Sequence, residues 1–257
     1  MPIDDANAPP PGVDGVELKV TLGVEQVDAG LAVLRLAKDG DTVERRQIWF
    51  CEQLGGHRKP DTLPLLARGI IVRVRKRADH ADDATLKLRG PEGSLDPRLW
   101  HERTAELGKL ARIEGDWVAD RHLVSASLDA EVEGGLVDEV EAHRPHQVRR
   151  LLSGDQRALA DDLLLGLDGL TLLGPIRAWK WDKGTGELPD QVAAELWEVD
   201  EQLRFLELSA REEEDPLGGQ RQLDETLRAH DLQVDPDQQT KTSAVLAHLA
   251  AAEAARG

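Results

Sequence analysis

The stretch Gly69-Ile-Ile-Val-Arg-Val-Arg-Lys-Arg77 places Arg73 and Arg75 two apart in a β-branched run. A few residues on, Thr85-Leu-Lys-Leu-Arg89 repeats the pattern with Lys87 and Arg89. Side chains two apart on a strand share a face. The spacing therefore predicts two neighbouring strands that present four cations to one side and Val, Ile and Leu to the other. From Arg68 to Arg89 there are seven Lys/Arg against three Asp, a local charge of +4 inside a chain of net charge −17. Such a reversal of sign marks an anion site.

A chain of 257 residues allows one large domain or two modest ones, with ample length for a core. The negative balance argues against general binding of nucleic acid or of an anionic membrane, since both need broad basic surfaces. A small enclosed anion is compatible with it. Cys51 is the only cysteine, so no intrachain disulfide and no cysteine zinc site can form, which fits a reducing cytoplasm. Its place between Phe50 and Glu52 suggests a buried thiol rather than a nucleophile. No run of about 18 apolar residues occurs, so no transmembrane helix is expected. Residues 1–12 are acidic and proline-rich and read as a disordered leader, not a signal peptide.

Val13 to Leu22 alternates as a strand, with Glu17, Lys19 and Thr21 on one face. Val24 to Ala37 suits a short helix, and Asp39-Gly-Asp a turn. Arg46 to Glu52 is a second strand, and Gly55 to Leu66 a loop with one helical turn. Pro97 to Ala111 is either helical or irregular. His122 to Val132 alternates again, with Leu123, Ser125, Ser127, Asp129 and Glu131 on one side. The leucines from Gln147 to Gly169 form a helical stripe. Leu172 to Asp182 reads as a strand with Arg177, Trp179 and Trp181 in phase, and Leu196 to Ala210 as two more strand-like runs. The tail from Gln220 to Ala255 suggests two helices separated by Val234-Asp-Pro, packed outside the site. Seven or eight strands with antiparallel-type alternation, interrupted by helices, predict an α+β fold with a large antiparallel sheet or barrel. Eight strands would enclose just enough space for side chains and one small ligand.

Alternation of charge with aliphatic residues usually means one face on the core and one in water. Taken together, however, Glu17, Lys19, Arg73, Arg75, Lys87, Arg89, Asp129, Glu131, Arg177 and Glu207 all sit in strand-like runs. If those faces line a closed barrel, cations and carboxylates share one lumen, where each must pair or bind an ion. Guanidinium groups suit phosphate oxygens, which they grip with two parallel hydrogen bonds. Carboxylates in the same space suit Mg²⁺ or Mn²⁺.

In order and spacing these strands resemble the CYTH superfamily, the triphosphate tunnel metalloenzymes. Gly15-Val-Glu-Leu-Lys19 is similar to the family's Glu-x-Glu-x-Lys strand, with Gly15 at the place of the first Glu. Ile48-Trp-Phe-Cys-Glu52 resembles its aromatic-plus-acid strand. Leu65 to Gly69 followed by Val72-Arg-Val-Arg75 resembles its Leu-x-x-x-Gly and Leu-Arg-x-Arg. Thr85-Leu-Lys-Leu-Arg89 resembles its Thr-x-Lys-x-basic strand, and Phe205-Leu-Glu-Leu-Ser209 its Phe-x-Glu-x-Glu, with Ser209 at the second Glu. The resemblance covers roughly residues 13 to 210. It implies an eight-stranded antiparallel tunnel over 13–210; the helical reading of the tail makes 211–257 a C-terminal appendage.

The same resemblance implies metal-dependent hydrolysis of inorganic triphosphate, thiamine triphosphate or a nucleoside triphosphate. Its alternatives are a non-catalytic polyphosphate- or nucleotide-binding regulatory domain and adenylate-cyclase-type activity. Lys19, Arg73, Arg75, Lys87, Arg89 and Arg177 would hold phosphates. Glu17, Glu207, Asp129 and Glu131 would ligate Mg²⁺ or Mn²⁺, and Glu17 with Lys19 would be catalytic. The implied partner is a small triphosphate or polyphosphate, with no nucleic acid and no membrane. Other signals are weaker. His143-Arg-Pro-His146 lacks a third ligand, Gly55-Gly and Gly218-Gly read as turn punctuation, and Trp179, Trp181 and Trp197 as core packing.

Overall fold

The computed structural model describes residues 9–54, 62–91, 93–118, 121–143, 147–201, 203–235 and 241–255. Most of the expected leader, the Gly55–Gly56 turn and His146 lie outside the described residues. The strands are β1 (Val16–Leu22), β2 (Val43–Glu52), β3 (Ile70–Arg77), β4 (Asp83–Pro91), β5 (Ala111–Val118), β6 (Arg121–Glu131), β7 (Thr171–Trp181), β8 (Val192–Glu198) and β9 (Arg204–Glu212). They close into one barrel in the order β1-β5-β6-β4-β3-β2-β7-β8-β9. The α+β barrel is as expected, but it has nine strands rather than eight. It is also not wholly antiparallel, because β1 and β5 run parallel, with Val16 opposite Gly115 and Lys19 opposite Val118. The added strand is β5. Its sequence, Ala111-Arg-Ile-Glu-Gly-Asp-Trp-Val118, holds three charges and a glycine and no aliphatic run.

The cationic hairpin forms in the expected way. Arg73 lies opposite Thr85, and Arg75 opposite Asp83. On the next strand Thr85 lies opposite Asp129, and Lys87 opposite Ser127. Gly69 makes the entry to β3 possible. It has φ +69°, and a Cβ there would stand 2.0 Å from the Arg89 carbonyl oxygen. Its own carbonyl accepts the Arg89 N–H at 2.7 Å.

Seven α-helices fall among the described residues: α1 (Val27–Val33), α2 (Pro64–Ala67), α3 (Pro97–Thr104), α4 (Leu136–His143), α5 (Gly154–Asp162), α6 (Pro216–Ala229) and α7 (Lys241–Ala254). The barrel wears its apolar faces outside, and the helices cover them. Val137 and Val140 of α4 and Leu159 and Ala160 of α5 pack with Val72, Val74, Leu86 and Ala126. Val27 of α1 and Leu223 and Leu227 of α6 pack with Leu18, Val20, Leu206 and Leu208. Each such valine or leucine contributes about 1.5–3 kcal/mol by leaving water.

The leucine stripe from 147 to 169 is broken by Ser153, which caps α5 in a reciprocal pair with Gln156. Buried Gln156 then donates from Nε2 to the carbonyls of Ala84 and Leu128, both at 2.8 Å, tying α5 to β4 and β6. The Gly218-Gly pair does not mark a turn. It lies in the first turns of α6, and a Cβ on Gly219 would stand 2.6 Å from Leu18 Cδ1. Glycine lets the helix lie directly on β1.

Helix α7 corrects a further expectation. Val245 and Leu246 pack on Ile48, Phe50, Ile71, Ile176 and Trp197. Phe50, Ile71 and Trp197 also line the barrel's interior. The C-terminal helix therefore closes the interior on an apolar floor instead of packing outside the site.

A charged tunnel as candidate functional site

The interior is a cavity of about 460 Å³ to which every one of the nine strands contributes. Among the described residues it is lined by twelve Lys/Arg and five Asp/Glu. This positive interior stands in a chain of net charge −17. The cause is local: period-two alternation puts most charged members of β1, β3, β4, β5, β8 and β9 on the inner face, while aliphatic neighbours go outward to the helices.

Arg73, Arg75, Lys87 and Arg89 all line this one space, with Glu17, Lys19 and Glu207. Their partners divide the cavity into three parts. The first centres on Asp116 of β5, which the sequence reading missed together with its strand. Asp116 accepts from Lys19 Nζ at 2.9 Å and pairs with Arg89 Nη2 at 2.6 Å and Lys87 Nζ at 3.4 Å. Its side chain is 2% exposed. These cations hold the carboxyl well below the usual range despite its burial. Burial opposes the Lys19 charge, but Asp116 and Glu17 outweigh it and hold the ammonium above the ordinary lysine range. Glu17 lies 2.7 Å from Lys19 Nζ. Lys87 behaves differently. Burial pushes it down to about 8, with Arg89 and Lys19 adding to that shift and Asp116 opposing it.

The second part is the hairpin's upper end. Arg75 donates from Nε to Asp83 at 2.8 Å, and Arg77 pairs with Glu44. Arg73 lies between these two charge clusters. Its Nη2 donates to Thr85 Oγ1 at 3.3 Å, and its buried Nε has no hydrogen-bond partner. Among the described residues it makes no ion pair. Burial and the neighbouring Arg75 push it down to about 10, which still leaves a cation at neutral pH. Arg89 Nε is likewise buried without a partner. Buried donors without acceptors cost free energy, of order 1–3 kcal/mol each or more when charged.

The third part is a carboxylate pair, Glu195 of β8 and Glu207 of β9, opposite one another in register. Lys241 at the start of α7 reaches between them, its Nζ 2.6 Å from Glu195 Oε2 and 2.8 Å from Glu207 Oε1. The ammonium also lies 4.4 Å from the centre of the Trp197 ring. Arg46 Nη1 donates to the other Glu195 oxygen at 3.2 Å. Glu195 was missed because the expected strand began at Leu196, beyond Ala193 and Ala194. Lys241 was missed because nothing in a helical sequence shows where its first turn docks.

The remaining expected residues fall at the edge or outside. Asp129 accepts from Thr85 Oγ1 at 2.6 Å and pairs with Arg112, so it buttresses two lining residues. Glu131 is exposed at the end of β6 and does not line the cavity. Arg177 is 68% exposed and pairs with Glu198 on the outer side, while Lys180 lines the cavity from β7. The phase of β7 is set by Ile176 and Ala178, which join Ile48 and Phe50 in the inner apolar cluster and turn Arg177 outward. Glu52 caps backbone amides, accepting from Gln53, Leu65 and Leu66. Burial pushes the Cys51 thiol up, as expected of a core residue. Trp181 is fully buried, whereas Trp197 lines the cavity beneath Lys241.

The arrangement does not fit a bound divalent metal. Glu207 and Glu195 hold Lys241, Glu17 holds Lys19, and Asp129 is engaged by Thr85 and Arg112. Among the described residues no three His, Cys, Asp or Glu side chains group as a metal site. Gly15, where the resemblance places a further carboxylate, has φ +149°, and a Cβ would stand 3.1 Å from the Glu212 carbonyl oxygen.

Comparison with solved structures supports the fold. A protein of Bacillus halodurans named "putative adenylate cyclase" matches with a TM-score of 0.53 at 11% identity, over 89% of this chain and 96% of that one. A protein of Pyrococcus horikoshii OT3 matches with a TM-score of 0.41 at 15% identity, over 91% and 98%. A second "putative adenylate cyclase", from Vibrio parahaemolyticus, matches at 0.40 and 10% identity, over 85% and 90%. No family model matches the sequence, and no curated protein does. The first of these likenesses is one of overall fold. No helix among the described residues is long and apolar enough to cross a membrane.

Proposed function

We propose that the chain is a divergent CYTH tunnel protein whose cavity binds the triphosphate group of a small molecule. Arg73 carries this reading: a guanidinium that lines a cavity of net positive lining and makes no ion pair among the described residues. A phosphate supplies the missing counter-charge, and the guanidinium fork suits its oxygens. Lys87 and Arg89 add donors along the neighbouring strand, and the volume suits a chain of a few phosphoryl groups rather than a polymer. An adenylate cyclase takes ATP, so the name of the Bacillus halodurans protein is compatible with a triphosphate ligand. Calorimetric titration with inorganic triphosphate, thiamine triphosphate and ATP tests the proposal. Saturable binding of at least one supports it, and no binding of any contradicts it.

The rival reading, hydrolysis of the bound triphosphate with Mg²⁺ or Mn²⁺, needs Glu17 to exchange Lys19 for a metal ion that the phosphates bring with them. The Glu17 carboxylate lines the cavity and keeps 36% exposure, more than the other carboxylates of the inner clusters. Phosphate release in the presence of either metal distinguishes this reading. Glu17→Gln should then abolish release and leave triphosphate binding intact.

A further inference from the structure

The ion pairs at the floor of the tunnel have a consequence of their own. We propose that the Lys241 ammonium takes the place of a divalent cation here, so that the tunnel holds its triphosphate without metal. The inference rests on the triphosphate reading above and deepens it.

Glu195 and Glu207 face each other across β8 and β9, and a pair of carboxylates at that spacing would ordinarily attract a hard cation. Lys241 occupies that point. It bonds one oxygen of each carboxylate, and its side chain is 10% exposed. Trp197 offers its ring to the same charge. Arg46 takes the second Glu195 oxygen, so the pair is neutralised by two protein cations. Burial disfavours the Lys241 charge, yet Glu195 and Glu207 hold it protonated above the ordinary lysine range. Its position is fixed by more than charge. Val245 and Leu246, one helical turn further on, are buried in the apolar floor. A divalent ion could enter only by expelling an ammonium that two carboxylates, an aromatic ring and a docked helix retain. The same ammonium lines the cavity with Arg73. It therefore neutralises, in place of a metal, carboxylates that would otherwise repel the ligand's phosphates.

The test uses the full chain and two readouts, Mn²⁺ binding followed by the electron spin resonance of free Mn²⁺, and calorimetric binding of inorganic triphosphate in excess chelator. The native chain should take up no Mn²⁺ at sub-millimolar concentration and should bind triphosphate with metal removed. Lys241→Met keeps the apolar stem and removes the charge. It should gain saturable Mn²⁺ binding, lost again on adding Glu207→Gln, and weaken metal-free triphosphate binding by about tenfold or more. Lys241→Arg should match the native chain in both. Sub-millimolar Mn²⁺ binding by the native chain overturns the proposal without any variant, as does a folded Lys241→Met that binds neither more Mn²⁺ nor less triphosphate. If the native chain binds no triphosphate under any condition, the functional reading fails. The Mn²⁺ comparison then still decides whether Lys241 guards the carboxylate pair.

Discussion

At the scale of single residues, the inner strand faces carry charges that mostly pair with one another, and Arg73 makes no ion pair among the described residues. Arg73→Ala should therefore weaken triphosphate binding by about 1.5–3 kcal/mol, the scale of a hydrogen bond between charged groups. Unchanged affinity by calorimetry would contradict the role given to it. Lys87 makes a pH prediction with two opposite signs. Its folded value of about 8 lies below the ordinary 10.5. Between those values the unfolded chain carries the proton and the folded chain does not, so this group's contribution to stability rises with pH across that window. Ligand affinity should run the other way and fall as pH rises through about 8, because the cation is lost. Lys87→Met should remove that step from the affinity profile. Gly15 makes a third prediction. With φ +149° and a backbone oxygen 3.1 Å from any Cβ, Gly15→Glu should lower stability by about 1–3 kcal/mol. Ser209→Glu, whose side chain enters the cavity opposite Lys19, should be tolerated. A melting temperature lowered equally by both would refute this distinction.

At the scale of elements, the alternating hairpin of β3 and β4 was legible because period-two spacing is decisive where both faces are chemically distinct. Arg73, Arg75, Lys87 and Arg89 could be placed on one face from sequence alone. Strand β5 was not legible, since Arg112, Glu114 and Asp116 alternate with Ala111, Ile113 and Gly115, too small and mixed a set to mark an apolar face. Its absence hid Asp116, the residue on which Lys19, Lys87 and Arg89 converge. Arg177 was put on the inner face because alternation fixes which residues share a face and not which face points inward. The packing of Ile176 and Ala178 decided that. The importance of β5 is testable. Asp116→Ala leaves three largely buried cations without their shared counter-ion and should cost about 3–5 kcal/mol in urea unfolding. Added triphosphate should restore more stability to this variant than to the native chain. A loss below about 1 kcal/mol, the range of an exposed ion pair, would show that the cluster is solvated.

At the scale of the whole molecule, an acidic protein encloses a basic interior by turning its strands inside out: aliphatic faces outward under helices, charged faces inward. Helix α7 then closes the floor with apolar residues and delivers one lysine to the carboxylates. The barrel class could be read from strand count and charge pattern, but the docking of α7 could not, because a helix's apolar stripe says that it is covered and not by what. On this reading the interior is a triphosphate site whose cations are already in place. The most direct measurement is calorimetric titration of the native chain with inorganic triphosphate at neutral pH in excess chelator, beside Arg73→Ala. One saturable site is expected in the native chain, with a clear loss of affinity in the variant. Absence of binding in the native chain, or equal affinity in both, would contradict that reading.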